Sequence, residues 1–309
     1  MGVFVFLPLV LPLSAWPIAR LAEQHLHPRA ATWLLSATAA VLAVCSTLCL
    51  ALLVVVGTAQ LPGNPLPDGW SDPEVRRALP YDEVAGKAAI PALAAVLLSC
   101  ARLLGHHRAV RRRAERALAA LPARRVAVLP DETPYAYALP GRGGGRVVVT
   151  RALLDALSAP ERRALFAHER AHLARGHHRF LLVVRLAARA NPFLRPLCTA
   201  VGYTAERWAD EEAAATTGSR RTVARAIGKA GLVSHGAPAP TLAGASAGPV
   251  PRRVAALLAP PPATRAWPPA ATTVGLAAWG AAAGAAASAL SSANSAVTLF
   301  FVLKAATPL

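Results

Sequence analysis

Residues 168–172 read His-Glu-Arg-Ala-His. In a helix, residues four apart share a face, so the imidazoles of His168 and His172 can reach one metal ion. Glu169 sits beside His168 and can approach a water on that metal without ligating. Zinc lowers the pKa of such a water to about 7, and a carboxylate can take its proton during attack on a carbonyl. A catalytic zinc needs three protein ligands and one open position. The third candidate is Glu206, 34 residues beyond His172 in Glu206-Arg207-Trp208-Ala209-Asp210. Asp210 shares its helical face and can accept the other ring N–H of a ligand histidine.

Two plainer readings compete. The pentapeptide is short enough to arise by chance on a solvated basic helix. Glu206 and Asp210 could belong, with Glu211 and Glu212, to a solvated acidic face. The acid count weighs against both: residues 105–265 hold only 10 Asp/Glu beside 26 Lys/Arg.

The elements around these residues are legible. Ser158-Ala159-Pro160-Glu161 is a capping box with proline in the first turn. It starts a helix that runs through Leu165, Phe166 and His172 to a stop at Gly176. A helix over 178–190 breaks at Asn191-Pro192, and another over 194–216 ends at Gly218. Upstream, Arg125 to Leu129 is β-like and Tyr135 to Leu139 alternates with period two. A glycine turn at 143–145 joins the latter to Arg146–Val149 as a hairpin. No Gly-Lys-Ser/Thr follows those glycines, so they form a turn and not a phosphate loop.

Composition says where this unit sits. Of 309 residues, 54% are hydrophobic and 16% charged, with a net charge of +17; soluble domains average about 25% charged. Apolar blocks predict four transmembrane helices over 2–19, 31–57, 85–104 and 271–303. The first carries Pro8, Pro12 and Pro17. No Lys or Arg precedes Arg20, so it reads as a retained span and not a signal peptide. The loop 58–84 holds Asp68, Asp72, Glu74, Asp82 and Glu83 against Arg76 and Arg77. That acidic loop and the basic segment beyond it place the N-terminus outside and residues 105–265 in the cytoplasm of a multi-pass membrane protein. Arg outnumbers Lys by 30 to 3, as a high-GC bacterial genome would give. Aromatics are few and no recognition motif appears, so the basic surplus sets topology and membrane attraction without implying nucleic acid. Cys45, Cys49, Cys100 and Cys198 lack metal-ligand spacing. Gly280 and Gly284 form a GxxxG pair suited to close helix packing, while Ser291, Ser292, Asn294 and Ser295 could end the last span early.

The domain plan is therefore three spans within 1–104, a soluble unit over 105–233, a Pro/Gly/Ala-rich connector over 234–270 with a short helix at 252–258, and a span over 271–303. The fold class is an α-helical membrane protein carrying a mainly α, α+β zincin-like domain with a small β-hairpin or sheet.

The stretch VVVTRALLDALSAPERRALFAHERAHLARGHH from Val147 to His178, with ERWADEEA at 206–213, resembles the integral-membrane gluzincin metallopeptidases. The span arrangement resembles the BlaR/MecR type (family 56), with close similarity to the HtpX and CAAX-prenyl-protease type (family 48). The resemblance implies one Zn2+ per chain on His168, His172 and Glu206, Glu169 as general base, and Asp210 behind a ligand. It also implies that Tyr135, Ala136, Tyr137 and Ala138 lie on an edge strand that pairs with the substrate backbone. In the HtpX type a His-Pro-Pro segment precedes an arginine near the domain's end; Arg253 matches that arginine, but no histidine accompanies it. The oxyanion-stabilising donor is thereby unassigned. His177 and His178 are candidates, though a place on the domain surface is expected for them, and His235 is expected to face solvent.

Three functions follow. The first is a membrane zinc endopeptidase that cuts a cytoplasmic protein such as a BlaI-like winged-helix repressor. The second is HtpX-like quality control of membrane proteins. The third is a non-catalytic signalling or scaffold protein, which would have no use for Glu169.

Overall fold

A computed structural model of the chain describes residues 5–59, 61, 63, 67–71, 82–119, 122, 124–141, 144–234, 249–262 and 271–306. The expected loop 58–84, the glycine turn at Gly143 and most of the connector, including His235, lie largely or wholly outside these residues. The molecule is mostly helical, with one small sheet.

The proline-bearing N-terminal block, expected as a kinked span, is not one continuous α-helix. It is divided into α1 (Leu7–Val10), a 3-10 turn (Leu11–Ser14) and α2 (Ala15–His25). Proline lacks an amide N–H and crowds the turn before it, so Pro8 and Pro12 each open a new piece. Three helices are long and apolar enough to cross a membrane, among the described residues. They belong to α3 (Pro28–Ala59), α4 (Asp82–Ala117) and the C-terminal helix α11 (Thr273–Ala305). At 1.5 Å per residue, α4 is about 54 Å long. That is longer than a ~30 Å hydrocarbon core requires, and the C-terminal part, here called the stalk, carries Arg108, Arg111, Arg112, Arg113 and Arg116.

Gly57 on α3 and Gly86 on α4 let these two helices meet backbone to backbone; a Cβ on Gly57 would lie 2.3 Å from the Gly86 carbonyl carbon. The expected packing at Gly280 and Gly284 is not found, since a Cβ at either position would meet nothing within 4 Å. Nor do the serines end α11, which runs unbroken to Ala305. Ser288, Ser291, Ser292 and Ser295 are buried, and Ser292 contacts Cys45 and Cys49 on α3, so the polar side chains lie inside the bundle.

The stalk carries the sheet. Strands β1 (Val126–Leu129), β2 (Ala136–Leu139) and β3 (Arg146–Thr150) are ordered β1-β3-β2. β1 and β3 are parallel; β2 and β3 are antiparallel, with Tyr137 opposite Val148. Alternation sends Ala127, Val148 and Tyr137 toward Val110, Ala114 and Leu118 of the stalk region. Val126, Val149 and Ala136 face Leu153, Leu165 and Phe166 on the other side. That second layer begins with α5 (Arg151–Ala156), whose N-cap Thr150 accepts from the Leu153 amide.

Four helices follow: α6 (Ala159–Arg175), α7 (His177–Ala190), α8 (Arg195–Thr217) and α9 (Arg220–Val233), and after the connector α10 (Val250–Leu258). The Glu161 carboxylate accepts from the Ser158 amide at 2.9 Å and from Lys229 Nζ at 2.9 Å. This ties the start of α6 to α9. The largest core joins the two halves of the chain: Leu181, Val184 and Ala187 of α7 and Leu197, Ala200 and Val201 of α8 pack on α2 and on Ala31, Leu35, Ala39 and Leu42 of α3. Thr32 Oγ1 also donates to Thr204 Oγ1 at 3.0 Å. Deeper along α3, Cys49, Leu53 and Val56 pack instead with Ala89 of α4 and Leu299 of α11.

Candidate metal centre

His168 and His172 project from one face of α6 because they are one helical turn apart. α8 crosses that face and supplies Glu206. The three side chains come together with ligand atoms all within 4.8 Å of one another. Their spacing is informative. His168 Nε2 lies 3.1 Å from His172 Nε2 and 3.4 Å from Glu206 Oε2, and His172 Nε2 lies 3.5 Å from Glu206 Oε1. Zinc bonds of about 2.0–2.1 Å in tetrahedral geometry place neighbouring donors roughly 3.3 Å apart. The donor set, two imidazoles and a carboxylate, and its spacing therefore fit a zinc ion.

For Nε2 to face a metal, each ring must carry its proton on Nδ1. Asp210 Oδ1 stands 3.0 Å from His168 Nδ1, although off the ring N–H direction, so the contact is electrostatic more than an aligned hydrogen bond. His172 Nδ1 lies 2.9 Å from His177 Nδ1. With the proton on His172, His177 is the acceptor and carries its own proton on Nε2. Burial, and after it the His172 ring, hold the His177 pKa down at about 3, which suits a neutral acceptor.

His177 is thus no surface residue: its exposure is 0%, and its ring packs on Trp208 at 4.8 Å. The αL turn at Gly176 (φ 65°) breaks the helix and starts α7 in a new direction. The residue after the turn consequently folds back under His172. The surface position expected for His177 is thereby corrected: the αL glycine at 176, which ends α6, is the sequence signal that the chain reverses here. His178, by contrast, is part-exposed.

Arg253 arrives from α10, which packs on α9, and locks the carboxylates. Its Nε and Nη2 donate to Asp210 at 2.9 and 2.6 Å, and its Nη1 meets Glu206 Oε2 at 2.9 Å. Each of its three nitrogens faces a carboxylate, so Arg253 orders the carboxylates around the site. Burial would raise both carboxyl pKa values; the Arg253 charge overrides it and holds Asp210 below, and Glu206 well below, the usual range. Burial would likewise lower His168, but Asp210 and Glu206 push it up to about 10. Without metal that ring is protonated at neutral pH, and a metal must displace the proton to bind. Glu169 is buried on α6 beside His168 and takes part in none of these locking contacts.

β2 is an edge of the sheet, so Ala136–Leu139 have β3 on one side and no strand on the other among the described residues. Tyr135 precedes the strand. Its amide donates to Thr150 Oγ1 at 3.1 Å, its hydroxyl to Asp131 at 3.0 Å, and its ring stacks with Tyr137. The hairpin must pass close to the metal helix: at Gly145 (φ +77°) a Cβ would lie 2.6 Å from the Leu139 carbonyl oxygen and 2.8 Å from Leu173 Cδ2. Only glycine fits there.

The model of Peptidase family M48 matches residues 105–190. These residues run from the stalk through the sheet, α6 and α7; they include His168–His172 and stop before Glu206. The match supports a metallopeptidase of the M48 kind and does not extend to the BlaR/MecR type. No curated protein and no solved structure matches the chain.

Proposed function

We propose that this chain is a membrane-integrated zinc metalloendopeptidase that cuts extended peptide segments at the cytoplasmic membrane face. The observation that carries the reading is the tetrahedral-edge spacing of His168, His172 and Glu206 with a carboxylate, Glu169, at their side. A bound zinc ion would supply the Lewis acidity that polarises the scissile carbonyl and acidifies water.

The chain's own residues do the rest. Glu169 takes the proton of the attacking water and passes it to the leaving nitrogen. Asp210 and His177 hold the His168 and His172 rings with Nε2 forward. Arg253 keeps Glu206 ionised and oriented. The free edge of β2, residues 136–139 with Tyr135 at its start, pairs with the substrate main chain, so recognition rests on an extended backbone more than on particular side chains.

The cytoplasmic placement does not depend on the N-terminal block. With three spans or four, the acidic loop between α3 and α4 lies outside and the Arg-rich exit of α4 inside. The family match favours the quality-control reading, cleavage of membrane proteins, over the winged-helix repressor suggested by the BlaR/MecR resemblance. An intact Glu169 beside the ligands argues against a scaffold that keeps zinc only for structure.

The test is proteolysis by the purified full chain in detergent, with zinc measured in the same samples. Glu169→Gln is expected to keep about one zinc per chain and to lose ~10²–10⁴-fold in peptide-bond hydrolysis. Unchanged hydrolysis in this variant, or a wild-type protein that binds no zinc, overturns the proposal.

A further inference from the structure

The hairpin made by α7, the 3-10 turn Pro192–Leu194 and α8 reaches back toward the apolar middle of the helices it packs on. Its level is set from two sides. On α3, Thr204 of α8 meets Thr32, while Leu194 and Leu197, nearer the tip, share a core with Ala39, Leu42 and Ala43. On α4, Cys100 Sγ lies 3.8 Å from the Leu186 carbonyl oxygen, and His178 at the other end of α7 stands near His107 and Arg111. α7 is therefore antiparallel to α4. Phe193, seven residues past Leu186, lies about 10 Å further on, opposite the stretch of α4 between Leu93 and Leu98.

That is the level of the apolar parts of both helices. Residues 30–59 of α3 and 88–101 of α4 carry no charge. What the chain exposes there is apolar: Phe193 is 55% exposed, Leu97 and Leu98 are 58% and 50%, and Leu13, on the 3-10 turn that lies against Pro192–Leu194, is 56%. Trp16, three residues beyond Leu13, is 59% exposed with the Arg20 guanidinium 5.4 Å from its ring, a pairing suited to a membrane–water interface.

The turn meets the demand that lipid makes on a backbone, that every N–H find a partner within the protein. Asn191 N–H donates to the Ala187 carbonyl at 2.8 Å, Phe193 N–H to Asn191 Oδ1 at 3.1 Å, Leu194 N–H to the Asn191 carbonyl at 3.0 Å and Arg195 N–H to the Pro192 carbonyl. Pro192 and Pro196 have no N–H to satisfy. The charges nearby are all arginines, and residues 176–205 hold no Asp or Glu. Arg189, level with Leu97, is ~8 Å past the level of Arg102, a depth from which an arginine stem can carry its head back to the phosphates.

We infer that the tip of the α7–α8 hairpin, residues 191–197, is inserted among the acyl chains of the cytoplasmic leaflet, entering and leaving on the same side. The inference presupposes that α3 and α4 cross a bilayer and is independent of catalysis. Its consequence reaches the metal centre, because the two arms of the hairpin carry His177 and Glu206. Glu206 stands 11 residues along α8 from Arg195, about 17 Å, so the depth of the tip sets the height of the metal above the membrane.

The test is labelling by a membrane-impermeant maleimide of the full chain in phosphatidylglycerol/phosphatidylcholine nanodiscs, one chain per disc, with the wild type as baseline for the four native cysteines. Phe193→Cys is expected to react at least about tenfold more slowly than Arg179→Cys, an exposed position on the same helix on the cytoplasmic side of Leu186. In SDS the two should react alike. A rate for Phe193→Cys within about twofold of Arg179→Cys in nanodiscs overturns the insertion. A photoreactive benzophenone side chain at position 193 then reads what covers the tip. Phospholipid adducts are expected; crosslinks between two chains, or protection seen only in discs holding two chains, overturn the lipid assignment in favour of a second copy. A chain recovered in the soluble fraction refutes the insertion together with the membrane reading it presupposes.

Discussion

Replacing Arg253 by methionine isolates the electrostatics of the metal centre. Arg253 is 5% exposed, and its guanidinium makes three contacts of 2.6–2.9 Å to Asp210 and Glu206. Asp210 is wholly buried, and the Glu206 side chain is 14% exposed. Removing one partner of a buried ion pair costs about 3–5 kcal/mol, because the other charge stays behind. In the metal-free protein, protonated His168 then faces two carboxylates alone. Zinc brings two positive charges to the same place, so it should recover part of the loss. At ~2–4 °C per kcal/mol for a domain of this size, Arg253→Met should melt about 10 °C below wild type in chelator, with a smaller gap in zinc. Scanning fluorimetry in detergent measures this, helped by Trp208, which is 4% exposed at the site. Arg252→Met is the control: the Arg252 side chain is 43% exposed, and its pair with Glu23 and its stacking on Tyr203 together contribute about 1–2 kcal/mol, less than the Arg253 contacts. A variant that melts with wild type in chelator, or gains no more from zinc than wild type does, would refute the reasoning.

Two further outcomes can be checked directly. His177→Ala should weaken zinc binding about 10–100-fold in a chelator competition; His177→Asn, which keeps an acceptor near His172 Nδ1, should recover part of it. Glu161→Gln should destabilise the chain by ~1 kcal/mol near neutral pH. Burial would raise the Glu161 pKa, but Lys229 and Ser158 bring it down to about 2. A depressed carboxyl contributes stability above its unfolded pKa and loses it as pH falls through the folded value. The wild-type advantage over Glu161→Gln in thermal melts should therefore persist above about pH 4.5 and vanish toward pH 2; an advantage constant across that window would exclude this linkage.

The metal-binding face was readable because helical spacing is local. Four residues separate His168 from His172, and four separate Glu206 from Asp210. Which helix crosses which could not be read from spacing, but the scarcity of acids in residues 105–265 made Glu206 and Asp210 conspicuous. His177 escaped because its position depends on a reversal at Gly176, which turns a sequence neighbour into a spatial one beneath His172. The clamp made by Arg253 escaped for another reason: 43 residues separate it from Asp210, much of that as connector, and no periodicity spans such a gap. In the membrane part, length and hydropathy found α3, α4 and α11. The N-terminal block is apolar too, but its prolines divide it into short helical pieces. Spacing also pointed to Gly280 and Gly284, when the glycines that bring helices together are Gly57 and Gly86. Small residues permit close approach; only a partner helix on the right side makes use of it.

The shared core between α3 and the pair α7–α8 has a practical consequence. A fragment begun at Gly105 and ended near Val233 would carry every residue of the metal centre but Arg253. It would leave Leu181, Val184, Leu197, Ala200 and Val201 uncovered, a water-facing oily strip where Ala31, Leu35, Ala39 and Leu42 now sit. Such a fragment should aggregate when expressed alone. The metal-binding portion and the apolar helices it packs on thus share one core and are to be expressed and solubilised together.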